Sequence, residues 1–207
     1  MKSVSISLAF LLLLGVNLCA TNPALHQRVS QERKVASFQR MELSTVAEVF
    51  FTQADQHTLR IEGEESDVNE YRSYVDNGTL HVKLRKEKKN IKEELKIFIT
   101  DPRLDGIEFE GVGTLYINKP LKADNFDLDI EGVGKVYIKE LRCRNLEVDV
   151  QGVGKADIHV ECSRLKAEVD GIGSIDLSGQ ADYARIERSG IGSVNTRQLK
   201  VKQMDKN

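Results

Sequence analysis

A glycine pair separated by one aliphatic residue, Gly-Val-Gly or Gly-Ile-Gly, occurs five times in this chain. The five copies occupy residues 111–113, 132–134, 152–154, 171–173 and 190–192. Their first glycines are separated by 21, 20, 19 and 19 residues. A fixed period near twenty residues indicates a repeat architecture, in which each unit stacks on the next.

Each unit alternates apolar and polar residues on both sides of its glycines. The third unit shows this with Leu146, Val148 and Val150 before the pair, and Ala156 and Ile158 after it. Such alternation is typical of strands with one buried face. The glycines allow a sharp corner between two strands, and we expect the Val or Ile between them to point into the interior. The sequence therefore predicts an all-β fold, a parallel β-helix (solenoid) of about twenty-residue coils with Gly-Val/Ile-Gly corners.

The two ends of the chain differ from the repeats. Residues 1–20 carry Lys2, an apolar run and a small residue at Ala20, which is the layout of a secretory signal peptide. Cys19 raises the alternative of a lipid anchor, but Leu18 is bulky where a lipoprotein signal has a small residue, so this is less favoured. We expect a linker at 21–34, a single domain at 35–201 and a frayed polar tail at 202–207.

The first half of the domain is strand-like but irregular. A short helix is expected from Ser66 to Tyr74, and Asp76-Asn77-Gly78 predicts a turn before the alternating strand 80–84. A charged loop is expected from Arg85 to Glu94. In the last unit Arg188 stands where earlier units have Val150 and Val169, which is typical of a solenoid cap that meets water.

These features together resemble the GIN domain family, described as the head of autotransporter adhesins. The resemblance rests on the turn at Asp76-Asn77-Gly78-Thr79-Leu80, on Asp101-Pro102-Arg103-Leu104 and on the recurrent Gly-Val-Gly, and it covers 35–201. Family members commonly carry Gly-Ser-Gly at the corner, whereas every corner here carries Val or Ile. The resemblance implies an exported bacterial protein with a right-handed β-helix and an adhesin-type role, and it supplies no catalytic residues.

Acidic residues recur at fixed positions beside the corners. Three positions before the first glycine stand Glu108, Asp129, Asp149, Glu168 and Glu187. Stacking would bring these like charges about 5 Å apart, where they repel. One hypothesis is that Ca²⁺ binds to this ladder, because hard cations prefer carboxylate oxygens. The favoured interpretation is a hydrated surface balanced by Lys135, Lys155, Lys166 and Arg185.

Cys143 and Cys162 lie 19 residues apart and occupy similar places in successive coils. Stacking at about 5 Å falls within disulfide range, and an exported protein meets an oxidising compartment. A pair of buried, unbonded thiols is an equal alternative. No His is spaced to complete a zinc site with them.

The sequence carries no recognisable catalytic or nucleotide-binding motif. The glycine pairs lack the third glycine of a dinucleotide loop, and no Gly-x-Ser-x-Gly elbow is present. The net charge of −2 does not favour nucleic acid as a partner. Tyr116 and Tyr137 share an outward register, which suggests either ordinary packing or a small platform for sugar.

Three functions remain open from the sequence. The first is a non-enzymatic binding or scaffold module of the cell envelope, with an unidentified glycan or protein as partner. The chain would not be an integral membrane protein once the signal is removed, and it would lie in the periplasm or at the surface of a Gram-negative bacterium. The second is a carbohydrate-active enzyme that uses clustered Asp and Glu, and the third is a structural envelope protein with a protein partner.

Overall fold

The structure is a computed structural model that describes residues 27–85 and 95–206, with the side chain of Lys206 excluded. Thirteen strands and one short helix follow in chain order: β1 (Arg28–Arg33), β2 (Arg40–Gln53), β3 (Thr58–Glu64), α1 (Glu65–Val68), β4 (Tyr71–Asp76), β5 (Thr79–Leu84), β6 (Lys96–Asp101), β7 (Gly106–Ile117), β8 (Leu121–Lys122), β9 (Asn125–Arg142), β10 (Asn145–Gly152), β11 (Lys155–Gly171), β12 (Ser174–Gly190) and β13 (Ser193–Lys206). The expected signal peptide and Cys19 lie outside the described residues, as does most of the expected charged loop.

The second half of the chain, from β7 to β13, is a parallel β-solenoid. Strand pairing aligns the first glycines of all five corners: Gly111 lies opposite Gly132, which is followed in turn by Gly152, Gly171 and Gly190. The predicted repeat of about twenty residues is therefore confirmed, and like residues stack on like. The described chain contains no helix that is long and apolar enough to cross a membrane.

The interior is filled by columns of aliphatic side chains that stack from coil to coil. One column contains Leu128, Val148, Ala167 and Ile186, and all four are buried. Burying each of the larger side chains contributes about 1.5–3 kcal/mol relative to leaving it in water. Since one coil has too little apolar surface to form a core, the coils are stable only as a stack.

The corners differ from the sequence prediction, because the Val or Ile between the glycines points outward. A Cβ added to Gly134 would lie 2.4 Å from the Phe109 ring, so the inner side of the corner is already filled by a side chain of the preceding coil. Gly152 adopts a φ of +91°, which disfavours any residue with a Cβ. The expectation of an inward aliphatic residue is therefore wrong. The second glycine, as at Gly134, faces the core, the first lies against the backbone of the preceding corner, and the residue between them faces solvent.

The first half of the chain extends the solenoid and closes its end. β2 pairs in parallel with β7, and Thr45, Val46 and Ala47 lie opposite the first Gly-Val-Gly as an additional corner without glycine. β5 and β6 pair in parallel with β2, whereas β3 pairs antiparallel with β6 and with β1, and β4 pairs antiparallel with β5. All thirteen strands belong to one sheet.

Three expectations about local structure need correction. The interval 21–34, expected to be a linker, contains β1, whose six residues pair with β3. The helix expected from Ser66 to Tyr74 is limited to Glu65–Val68, because Tyr71 begins β4. The tail expected to fray after 201 continues as β13, with Lys206 opposite Ile186. In all three cases, pairing with a distant strand supplies the hydrogen bonds that the local sequence does not signal.

Candidate functional site

The five predicted acidic residues form one column on the outer face of the solenoid. Glu108 lies opposite Asp129, and Asp149, Glu168 and Glu187 continue the column in register. Glu42 lies opposite Glu108 and adds a sixth carboxylate. Sequence reasoning missed Glu42 because its coil lacks the glycine pair that aligned the others.

The column raises the pKa of its central members. For Glu108, Asp129 and Asp149 the pKa is raised above its ordinary value, mainly because partial burial disfavours the charged form. Neighbouring carboxylates add to this, notably Asp149 beside Asp129 and Glu168 beside Asp149. Oδ1 of Asp149 is buried and makes no hydrogen bond to the described residues. The stack therefore opposes full ionisation.

Basic side chains partly offset this charge. Lys166 Nζ lies 2.8 Å from Glu147 Oε1 and 3.4 Å from Glu168 Oε2. Arg185 Nε donates to Glu187 Oε1 at 2.7 Å. Lys155 contacts Asp176 instead, with 2.9 Å between Nζ and Oδ2. These pairs are exposed, so each contributes little to stability. Lys166 and Arg185 contact carboxylates of the column, whereas Lys155 does not.

The acidic column does not converge on a point. Within residues 27–85 and 95–206, no three His, Cys, Asp or Glu side chains are grouped so that they could hold a metal ion. Calcium needs six to eight oxygen ligands around one centre, whereas this column spreads its carboxylates along a line. Calcium binding at Glu108, Asp129, Asp149, Glu168 and Glu187 therefore stays a prediction without a preformed cage among the described residues.

Aromatic side chains form a second outward column. Phe98, Phe50, Tyr116 and Tyr137 stack in that order, with ring centroids 5.1, 5.2 and 5.5 Å apart and planes inclined by 12–16°. The Arg60 guanidinium lies 4.3 Å from the centroid of the Phe98 ring and covers its outer face. Because the ring faces pack against one another, mostly ring edges meet solvent. A sugar ring stacks on an aromatic face, so this geometry favours ordinary packing over a sugar platform at Tyr116 and Tyr137.

The two candidate disulfide cysteines are neighbours. Cys143 and Cys162 are free thiols in the structure, and both are half-buried. A hydrogen bond between them, together with burial, raises the pKa of the Cys143 thiol. The structure therefore brings the predicted pair together in successive coils, in the unbonded state.

A third outward column is apolar. It contains Val46, Val112, Val133, Val153, Ile172 and Ile191, and we call it the aliphatic ridge. These six are all of the exposed large hydrophobic side chains in the described chain. The signal for it was present in the sequence: counting by twos from the buried Phe109 and Leu115 assigns the glycines inward and Val112 outward.

The geometry defines a β-solenoid that presents charged, aromatic and aliphatic columns side by side. A family model described as "Putative auto-transporter adhesin, head GIN domain" matches residues 37–158 and 139–207, so the chain belongs to this family. The resemblance seen in the sequence is confirmed. The comparison with curated protein sequences found no match.

Solved structures share the fold. A "putative adhesin" from Bacteroides fragilis is 27% identical, covers 82% of this chain and 96% of its own, and has a TM-score of 0.67. A "putative adhesin" from Parabacteroides distasonis is 18% identical over 87% of this chain and 77% of its own, with a TM-score of 0.82. A "putative lipid binding protein" from the same species is 20% identical over 87% and 78%, with a TM-score of 0.81. The last two likenesses concern the fold alone.

Proposed function

We propose that this protein is an exported, non-enzymatic binding module of the cell envelope that acts as an adhesin. Membership of the GIN family is the observation that carries the proposal. The signal-peptide pattern of residues 1–20 supports export, and it favours the periplasm or the surface of a Gram-negative bacterium. The partner would be an envelope glycan or protein.

The regular outer faces support binding rather than catalysis. From β9 to β13 the segments between strands contain two residues each, so this part of the chain has no long loop to form the wall of a cleft. A glycosidase needs two carboxylates that face each other across the scissile bond. Here the acids with a raised pKa lie along one line, and partial burial, with repulsion between neighbouring carboxylates added to it, accounts for the raised pKa.

Export is tested by expressing the full chain with a C-terminal tag in a Gram-negative host. We expect a mature protein that begins at Thr21 and fractionates with the periplasm or the outer surface, as measured by intact mass and by protease treatment of whole cells. A mass that includes a lipid on Cys19 would instead indicate a membrane-anchored protein. An unprocessed chain in the cytoplasm would contradict the proposal.

Binding is tested with the purified mature protein on a glycan array and against immobilised envelope extract, with and without calcium. A saturable interaction is expected. The double variant Asp129→Asn/Asp149→Asn serves to separate binding that uses the acidic column from binding elsewhere. Turnover of a bound glycan, seen as new reducing ends, would contradict a non-enzymatic role and favour the carbohydrate-active alternative.

A further inference from the structure

The aliphatic ridge is an exposed apolar strip that runs from coil to coil along the solenoid. Its side chains are exposed from 38% at Val46 to 81% at Ile191. Scattered exposed aliphatic residues are normal in proteins, but a contiguous patch marks an interaction surface. Here the described chain concentrates its large exposed apolar residues in one straight column, while neighbouring columns are polar or charged. The column is therefore a candidate interaction surface.

The columns on the two sides of the ridge differ in charge. On the side that precedes the first glycine stand Glu110, Glu131, Gln151, Asp170 and Ser189. On the side that follows the second glycine stand Thr114, Lys135, Lys155, Ser174 and Ser193. Along the five glycine corners, one flank thus carries three carboxylates, and the other carries two ammonium groups and three hydroxyls. Beside Val46 the corresponding residues are Ser44 and Glu48, again a hydroxyl and a carboxylate.

We propose that the ridge is the interface of a homodimer, in which a second copy packs ridge against ridge about a twofold axis parallel to the solenoid axis. Such a rotation reverses the direction of the strands across the interface but keeps the order of the coils. Each coil therefore meets the same coil of the second copy, as a twofold contact requires. The acidic flank of one copy then faces the basic and hydroxyl flank of the other.

The pairs that result are complementary at every repeating coil. Glu131 faces Lys135 of the second copy, Gln151 faces its Lys155, and carboxylates at 110 and 170 face hydroxyls at 114 and 174. The opposite orientation, with the coil order reversed, would place the acidic flank on the acidic flank and Lys135 near Lys155. Charge complementarity fixes orientation and disfavours the wrong partner, so it selects the parallel arrangement.

A second copy also fits better than a lipid surface. A membrane-binding apolar face is usually bordered by Lys and Arg, which attract anionic lipids. This ridge instead has a carboxylate on one flank at three of its six coils, and anionic headgroups would repel these carboxylates. The proposal goes beyond the adhesin role, because the binding of a glycan or a protein at another face does not depend on it.

The oligomeric state in solution tests the proposal. Sedimentation equilibrium of the mature protein over a wide concentration range should show a monomer–dimer equilibrium. The variant Val133→Asp/Val153→Asp should weaken the dimer by at least about 100-fold, because it buries charge in an apolar contact. The control variant Gln180→Asp/Gln203→Asp adds the same charge at exposed positions outside the ridge, and it should leave the dimer unchanged. Circular dichroism of each variant checks folding.

Single cysteines test the orientation. Val112→Cys and Ile172→Cys place a thiol near each end of the ridge. Each variant should form a disulfide between two copies of itself. Copper–phenanthroline catalyses this oxidation, in which oxygen accepts the electrons of the two thiols. Mass spectrometry of the linked peptides identifies the residues that are joined, which separates them from Cys143 and Cys162. Cross-links that form only between the two different variants would overturn the parallel arrangement.

Two further outcomes would overturn the proposal as a whole. One is a protein that stays monomeric throughout, or that floats with phosphatidylcholine vesicles as a monomer. The other is a dimer that survives the Val133→Asp/Val153→Asp substitution. Neither result would bear on export or glycan binding, which are measured separately.

Discussion

The two halves of this molecule reach the same strand geometry by different means. From β7 to β13 every pairing is parallel and most residues stack on their equivalents in the next coil, with register shifts between Ile158 and Val160 and between Asp176 and Ser178. From β1 to β6 the sheet mixes parallel and antiparallel pairs, and the core contains large rings such as Phe38, Phe51 and Tyr71. In the repeating half the buried rings are Phe109 and Phe126 of its first coils, and from β10 onward the core columns are aliphatic or small, because each coil presents the same cross-section. The first half uses aromatic side chains because it must close an end.

The two ends of the solenoid show the same contrast. The first end is covered by strands that turn back, as β3 pairs antiparallel with β6 and β1 pairs antiparallel with β3. The last strand, β13, instead carries polar residues and the lysines Lys200 and Lys202 along its exposed positions. Charged edges discourage pairing with other chains. One end is thus closed by topology and the other by composition.

The largest effect is expected from the core of the first half. Phe51→Ala should lower the free energy of unfolding by about 3–5 kcal/mol, because it removes a buried ring and leaves a cavity. Val148→Ala in the repeating half should cost only about 2 kcal/mol, since it removes two methyl groups. Urea denaturation followed by circular dichroism measures both. If Val148→Ala proved the more costly, the size of the deleted side chain would not set the order of the two effects.

The next effect concerns Cys143 and Cys162 of the repeating half. We predict that oxidised glutathione converts the pair to a disulfide with release of two reduced glutathione molecules. The bond should raise the free energy of unfolding by about 3 kcal/mol, because it closes a loop of nearly twenty residues in the unfolded chain. Thiol counting in denatured protein and urea curves with and without reductant measure the effect. Cys162→Ser is the control, and two free thiols after oxidation would refute the bond.

Replacing glycine by alanine should cost more stability at a corner of the solenoid than in an ordinary turn. Gly173→Ala places a Cβ 2.5 Å from Val150 Cγ1 and 2.8 Å from the Gly154 carbonyl oxygen, so it should cost about 2–3 kcal/mol. Gly78→Ala lies in the turn of the first half, with φ +77° and nothing within 4 Å of the added Cβ. It should cost only about 1 kcal/mol from backbone strain. Equal melting temperatures for the two variants would show that the corner is not filled.

A smaller effect is expected where the first half contacts the first corner. The Tyr71 hydroxyl accepts from the Val46 N–H at 3.0 Å and donates to the Val46 carbonyl at 3.2 Å, and burial raises the pKa of Tyr71 to about 12. Tyr71→Phe should cost about 1–2 kcal/mol, because it leaves two backbone groups unpaired. Faster amide exchange at Val46, with unchanged exchange at Val133, would localise the loss to this contact. Unchanged exchange at Val46 would count against it.

The smallest effect is electrostatic. The pKa of Asp149 is raised in the folded state, so folding opposes the ionisation of this carboxyl group. The stability of the protein is therefore highest below the pKa of Asp149 in the unfolded chain, and it declines as pH rises through the pKa in the folded state. Asp149→Asn should therefore raise the melting temperature at pH 7 by about 1–3 °C, and have little effect near pH 3. Asp149 is only partly buried, so solvent screening keeps the effect small.

Asp176 provides the control of opposite sign. Hydrogen bonds from Lys155 and Asn195 lower the pKa of Asp176, so this carboxylate stabilises the fold above its unfolded pKa and loses that contribution as pH falls. Asp176→Asn should lower the melting temperature at pH 7. Thermal unfolding from pH 3 to pH 8 compares the two variants. A shift of the same sign in both would show that stacking of like charge has no cost here.

The sequence alone determined the repeat. The spacing of the glycine pairs, the alternation around them and the resemblance to the GIN family each depend on residues close together in the chain. They gave the coil length, the stacking of Glu108 to Glu187 and the proximity of Cys143 and Cys162. Local periodicity carries this information because every coil repeats the same strand–corner–strand pattern.

Only the tertiary structure decided how the coils meet and where they end. The outward position of Val133 follows from Phe109 of the preceding coil, whose ring fills the space inside the corner. The strand at 28–33 exists because β3, more than twenty residues away, supplies its hydrogen bonds. The corner at Val46 lacks glycines and is recognised only by its pairing with Val112. The filled corner, the strand at 28–33 and the corner at Val46 depend on contacts between distant residues, which no local pattern encodes. The outward register of the aliphatic ridge, by contrast, follows from the period-two alternation around the glycines, and the tertiary structure added Val46 to it.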